Sequence, residues 1–130
     1  PAENWMKPDF DDVSWTEAPA GFGTAGTPGA VVRTEWKTTD IWLRRAFTLP
    51  DSIPDKLRLI AHYDEDASVY LNGVLAAHLF GYIWAYEQFV ILPEALSALK
   101  PGGNVLAVHC RQTTGGQYVD VGLAVERKEK

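Results

Sequence analysis

Three consecutive acids, Asp64, Glu65 and Asp66, open the stretch "YDEDASVYLNG", and a second acidic group, Asp9, Asp11 and Asp12, lies near the start of the chain. Packed carboxylates serve either glycosidic bond cleavage or cation binding. Cleavage needs two carboxyl groups on opposite sides of a sugar, about 5–10 Å apart, one kept protonated by an apolar setting. Adjacent acids in a turn are expected to stay ionised in water and to fix the turn by bonding local backbone N–H groups. Calcium wants six to eight oxygens. Neither cluster follows the Asp-x-Asp-x-Asp-Gly loop pattern, so Asp64 and Asp66 are weak calcium candidates, a structural calcium is possible on chemistry alone, and no other cofactor is implied. His109 and Cys110 are neighbours in an alternating run, so they point to opposite faces and cannot form a nucleophile–base pair. Cys110 shares its face with Leu106 and Val108 and reads as a small core residue. His62, His78 and His109 show no metal-ligand spacing, and there is no Gly-x-Ser-x-Gly elbow.

Aromatic residues carry a different chemistry. In "FGYIWAYEQF", Phe80, Tyr82, Trp84 and Tyr86 recur at every second position, so an extended backbone would line them along one face. Burial over the end of the core is the expected fate of most of these rings. The alternative is an open platform on which the C–H face of a sugar stacks, with Glu87 or Gln88 bonding hydroxyls. Trp36, in a Gly- and Thr-rich loop, is a candidate tip aromatic, and Tyr118 follows the flexible Gly115-Gly116. The candidate carbohydrate-binding residues are therefore Trp84, Tyr82, Tyr86, Trp36 and Tyr118. Trp42 shares a strand face with Arg44 and is expected to stack on its guanidinium. Asp120, inside a strand, reads as a structural carboxylate with Arg44 and Arg45 as expected partners.

The elements that must position these groups are mostly strands. "IWLRRAFTLP" puts Ile41, Leu43, Phe47 and Leu49 on one face and Trp42, Arg44, Ala46 and Thr48 on the other. "KLRLIAHY", "NVLAVHCRQ" and "YVDVGLAVERK" alternate in the same way. Asn72-Gly73 predicts a two-residue hairpin turn with positive φ at both positions. "PEALSALKPGG" is the one expected helical turn. Residues 3–23 show no period and are expected to be irregular, pinned by Trp5, Phe10, Val13 and Trp15. Short strands, frequent turns and almost no helix make the chain an all-β antiparallel sandwich or barrel.

At 130 residues with 46% apolar content the chain fits one domain, residues 1–130. Its net charge of −5 excludes the clustered basic surface that nucleic acid requires. The tail "ERKEK" interleaves its charges and reads as a frayed end. No basic amphipathic helix suits a membrane surface, and no apolar run approaches the ~20 residues of a spanning helix. A single cysteine excludes an internal disulfide. The start at Pro1, without Met or a leader, suggests a fragment of something longer or a mature product.

The pieces "FDDVSWTEAPAGFG", "TDIWLRRAFTLP", "YDEDASVYLNGV", "PGGNVLAVHCRQ" and "YVDVGL", in this order, resemble the galactose-binding-domain-like jelly rolls. The likeness is closest to the N-terminal sugar-binding domain of glycoside hydrolase family 2 enzymes and to accessory modules of large bacterial hydrolases. The resemblance implies a jelly roll of eight to ten strands in two antiparallel sheets. It also implies a non-catalytic domain of a longer secreted or periplasmic glycoside hydrolase, whose catalytic carboxylates lie in a separate barrel. Such a domain would pack on neighbouring domains of its own polypeptide and shape the approach of substrate. An autonomous carbohydrate-binding module and a module of a secreted hydrolase outside sugar chemistry are the alternatives.

Overall fold

Alternation decides the longest strands. In β4 (Leu57–Asp64) the odd-numbered Leu57, Leu59, Ala61 and Tyr63 are all buried, and in β5 (Asp66–Leu71) Ala67, Val69 and Leu71 repeat the pattern. A strand presents one apolar face per period of two, so two such strands need a second layer to cover them. The computed structural model describes residues 1–54 and 56–125. The charged tail from Glu126 to Lys130 lies outside the described residues.

The remaining elements are β1 (Phe22–Gly23), β2 (Thr34–Glu35), β3 (Asp40–Leu49), β6 (Val74–Leu79), β7 (Glu87–Val90), a short helix α1 (Pro93–Ala98), β8 (Gly102–Arg111) and β9 (Tyr118–Val125). They form two sheets, β2-β1-β9-β4-β7 and β3-β8-β5-β6. Every pairing is antiparallel except the two-residue contact of β1 with β2, which is parallel. The chain is an all-β sandwich, as the sequence predicts. Between the sheets lie Leu59, Leu71, Val69, Val119 and Cys110, each with essentially no exposed surface, and burial pushes the Cys110 thiol up to about 12.

The hairpin between β5 and β6 turns at Asn72 (φ 49°) and Gly73 (φ 84°), the predicted positive-φ pair. Asn72 also does something the turn signal does not reveal. Its side chain donates from Nδ2 to Ala98 O (2.9 Å) and Asn104 Oδ1 (2.7 Å), and accepts from Val105 N–H (2.8 Å). Asn104 in turn closes the 100–102 bend through Lys100 and Gly102. One amide thus ties the hairpin to the helix end and to β8. Asn72→Ala is expected to cost about 2 kcal/mol, from lost buried hydrogen bonds and a left-handed residue without its tolerant side chain; urea denaturation checks this, and Asn72→Asp is expected to recover only the bond to Val105.

The irregular N-terminal segment lies on the outer face of β3, β8 and β5. Trp5 is buried there with its ring edge-on to Tyr70 (5.6 Å) and His109 (6.4 Å). Arg44 points outward from β3 into this segment and bonds Asp12 and three main-chain carbonyls. Val13, expected among the pinning residues, is 85% exposed instead, because its segment is held by Arg44 rather than by its own side chain.

Candidate functional site

The loop from Phe80 to Tyr86 connects the two sheets, and its backbone is held at three points. Gly81 (φ 72°) donates its N–H to Asp66 Oδ1 (2.8 Å), Tyr82 bridges Asp64, and Ile83 donates its N–H to Tyr63 O (3.1 Å). Ile83 packs on the core, so alternation turns its neighbours Tyr82 and Trp84 outward. They are 58% and 68% exposed, and their rings stack at 6.1 Å with planes 25° apart. Beside them Ile83, Ala85 and Glu87 complete a shallow cleft of about 310 Å³. The expected burial of this aromatic run is therefore corrected: the core takes Ile83 and Phe89, while Phe80, Tyr82, Trp84 and Tyr86 stay exposed. Phe80 is also exposed and tilts over His78 at 5.7 Å.

Tyr86 differs from Tyr82 and Trp84. Its hydroxyl donates to Asp120 Oδ2 and lies 3.4 Å from the Tyr118 hydroxyl. Burial and the Asp120 carboxylate raise its pKa. Asp120 thus finds a tyrosine and not the expected Arg44 or Arg45, because Arg44 faces outward from the other sheet. Under Tyr86 lies His62, which touches Tyr86 (5.4 Å) and Tyr118 (4.9 Å); among the described residues its ring nitrogens meet no well-aligned hydrogen-bond partner, and burial lowers its pKa against the opposing pull of the Ile83 main chain and the Asp120 charge. The segment around Gly29 closes this layer from the side. A Cβ on Gly29 would sit 2.0 Å from Trp84 O, so only glycine allows the approach. Tyr118 donates to Val31 O (3.1 Å).

Two of the proposed ring contacts fall away. Tyr118 is fully buried beneath Tyr86, and Trp36 is 5% exposed, packed into the core with its indole N–H on Thr38 Oγ1 (3.1 Å). The pairing of β2 with β1 draws Trp36 inward, since Trp36 N–H bonds Gly23 O. Trp42 is corrected as well. It stacks on His109 (4.9 Å, planes 1° apart) and not on Arg44, while His109 Nε2 meets Asp40 Oδ1 at 2.7 Å. That pair came from residues 69 apart and carried no local signal.

The acids separate into distinct roles. Glu65 accepts from the Thr113 hydroxyl (2.6 Å) and from the N–H groups of Thr113 and Thr114, which hold its carboxyl below the usual range. Asp66 holds Gly81. Asp64 is only 9% exposed, and Gly116 crosses so close that a Cβ there would lie 2.7 Å from its Oδ2. Burial, with the Glu65 charge beside it, pushes Asp64 up to about 6. The expectation that water sets the state of all three acids is thus corrected for Asp64: the 113–116 loop covers it, so it takes up a proton already in mildly acidic solution. Among the described residues no three His, Cys, Asp or Glu side chains gather as a metal-binding group.

A raised carboxyl pKa in the folded state destabilises the fold once the unfolded chain ionises. For Asp64 the penalty is absent below the ordinary value of 3.8, grows as pH rises toward about 6, and is complete above it. Asp64→Asn is expected to stabilise the domain by about 1–2 kcal/mol at pH 7.5 and by almost nothing at pH ~4. Thermal unfolding at both pH values checks the prediction.

The chain matches no family model and no curated protein. Among solved structures it is similar to a glycosyl hydrolase family 2 member from Bacteroides cellulosilyticus DSM 14838, with TM-score 0.59 and 13% identity over 96% of this chain. A second structure of a family 2 member from Bacteroides cellulosilyticus gives TM-score 0.56 and 16% identity, again over 96% of this chain. The chain spans 19% of each of those chains. At this identity the likeness is one of fold.

Proposed function

We propose that this chain is a non-catalytic accessory domain of a larger secreted or periplasmic glycoside hydrolase, of the galactose-binding-like jelly-roll type, and that Tyr82 and Trp84 contact the carbohydrate. The observation that carries the reading is the exposed pair of near-parallel rings on a loop anchored to both sheets. Sugar rings present flat C–H faces, and two rigid aromatics accept them with little loss of side-chain entropy. Glu87, in the same cleft, supplies a hydroxyl acceptor. The match to about a fifth of family 2 chains supports the larger parent.

The fate of the acids supports a non-catalytic role. Both Glu65 oxygens are occupied by Thr113 and Thr114, and Asp64 is closed under Gly116, so neither reaches a bound sugar. Among the described residues no helix is long and apolar enough to cross a membrane. The test is affinity electrophoresis of the domain through gels cast with β-glucan, xylan, galactan or galactomannan. Retardation by at least one polysaccharide, lost in the Trp84→Ala variant, is expected. Migration unchanged in every gel would leave the aromatic loop a packing surface for a neighbouring domain and would end the carbohydrate reading.

A further inference from the structure

The β9 strand is paired on only one side for most of its length. Against β4 its ladder runs without a break from Tyr118 opposite Asp64 to Val125 opposite Leu57. Against β1 it pairs only at Tyr118 and Val119. Beyond Val119 no backbone or side-chain hydrogen bond reaches this second edge among the described residues. Gln117 O accepts from Thr24 N–H on that side, and main-chain direction alternates along a strand. Val121, Leu123 and Val125 therefore each turn an N–H and a C=O toward the open lane.

The lane is vacant because β1 leaves it. Continuing the β1–β9 ladder to Val125 would need residues 16–21, but Pro19 has no N–H and Gly21 (φ 100°) turns the chain toward β2, where its carbonyl accepts from Arg33 and Thr34. The apolar side chains beside the lane are incompletely covered. Val121 and Leu123, like Phe47 and Leu49 on β3, are only partly buried, and Val125 is 51% exposed.

The other sheet edges carry a charge or a cover: Arg45 stands on β3, Glu35 on β2, and Glu87 and Gln88 on β7, while β6 is covered by α1 and by the Leu92 N–H on Ala76 O (2.9 Å). "VGLAV", residues 121–125, carries no charge and no proline. An unguarded apolar edge of this kind templates another strand.

We propose that this edge is the interface of a homodimer, closed by β9 of a second copy running antiparallel. A two-fold axis at Leu123 pairs it with the second copy's Leu123, and pairs Val121 with the second copy's Val125. Each of the outward-facing residues then gains both of its missing main-chain bonds. Pairing also lays the second copy's Val121 and Leu123 side chains on the same face as this copy's, over the incompletely covered core. Only a polypeptide edge satisfies a ladder, and this sequence has the alternation the lane requires. So short a seam holds a weak dimer.

Sedimentation velocity from about 10 µM to about 1 mM tests it, because weak interfaces populate only toward the upper end. The wild-type chain is expected to shift toward dimer across that range, with amide exchange at Val121 and Leu123 slowing about tenfold or more, while Val125→Lys stays monomeric with an unchanged melting temperature and Val125→Ile dimerises. A wild-type monomer throughout, a Val125→Lys dimer, or a dimer without protection at Val121 and Leu123 would each overturn the proposal. Trp84→Ala is expected to dimerise normally, which separates this interface from the aromatic loop.

Discussion

Replacing Arg44 by alanine is expected to release the N-terminal segment and to cost about 3 kcal/mol, or roughly 10 °C in melting temperature for a domain of this size. The guanidinium is 5% exposed as a side chain, although its ion-pair partner Asp12 is 48% exposed. It donates from Nε to Asp12 Oδ2 (2.8 Å) and from its terminal nitrogens to Trp5 O (2.5 Å), Lys7 O (2.9 Å) and Phe10 O (3.4 Å), and it lies 5.2 Å over the Phe10 ring. Removing it takes the donor from Trp5 O and Phe10 O, while Lys7 O keeps the Phe10 N–H, and no regular ladder replaces the lost bonds. Asp12 can return to water, so most of the loss comes from the carbonyls and the ring contact and little from the ion pair. Lysine restores charge without the planar fork, and Arg44→Lys is expected to recover less than half of the loss. Limited proteolysis supplies the structural readout: cleavage within residues 1–15 should accelerate sharply in Arg44→Ala while the sandwich stays intact.

The second large effect concerns binding. Trp84→Ala is expected to weaken carbohydrate affinity by about 30-fold, near 2 kcal/mol, as for a central aromatic anchor. Its ring is 68% exposed, so the melting temperature is expected to move by less than a degree or two. Tyr82→Ala should weaken binding less, since the smaller ring offers less stacking area. Phe80→Ala is expected to leave binding unchanged, because Phe80 pairs with His78 and does not line the cleft. Ile83→Ala should behave oppositely to Trp84→Ala, with a clear loss of stability, since Ile83 is the loop's anchor in the core. Calorimetric titration of each variant against the retained polysaccharide separates these cases.

The long strands were legible because each buries one face, and burial of one face writes a period of two into β3, β4, β8 and β9. The Asn72-Gly73 turn and the helix opened by Pro93 were legible for equally local reasons of backbone chemistry. β1 and β2 are two residues long, too short to carry any period. Within the aromatic run the alternation was visible but its phase was not. That phase depends on Ile83 reaching Tyr63 O, a contact across twenty residues that no local pattern encodes. The same limit applies to Asp64, whose raised pKa comes from a loop some fifty residues later, and to Arg44, whose main partners are backbone carbonyls invisible to side-chain reasoning. Tyr118 and Trp36 were misplaced because a flexible or Gly-rich neighbourhood suggests exposure, whereas here Gly21 and Gly23 pass close against Tyr118 and the Gly23 carbonyl holds the Trp36 N–H.

The proposed sugar contact rests on the exposed rings of Tyr82 and Trp84. Its most direct measurement is a two-dimensional NMR titration of the five tryptophan indole N–H signals, assigned by single substitutions, with the polysaccharide that retards the domain. The Trp84 signal is expected to shift progressively and saturably while those of Trp5, Trp15, Trp36 and Trp42 stay in place. Shifts confined to Trp15 or Trp42 at the β3 edge, with Trp84 unmoved, would contradict it.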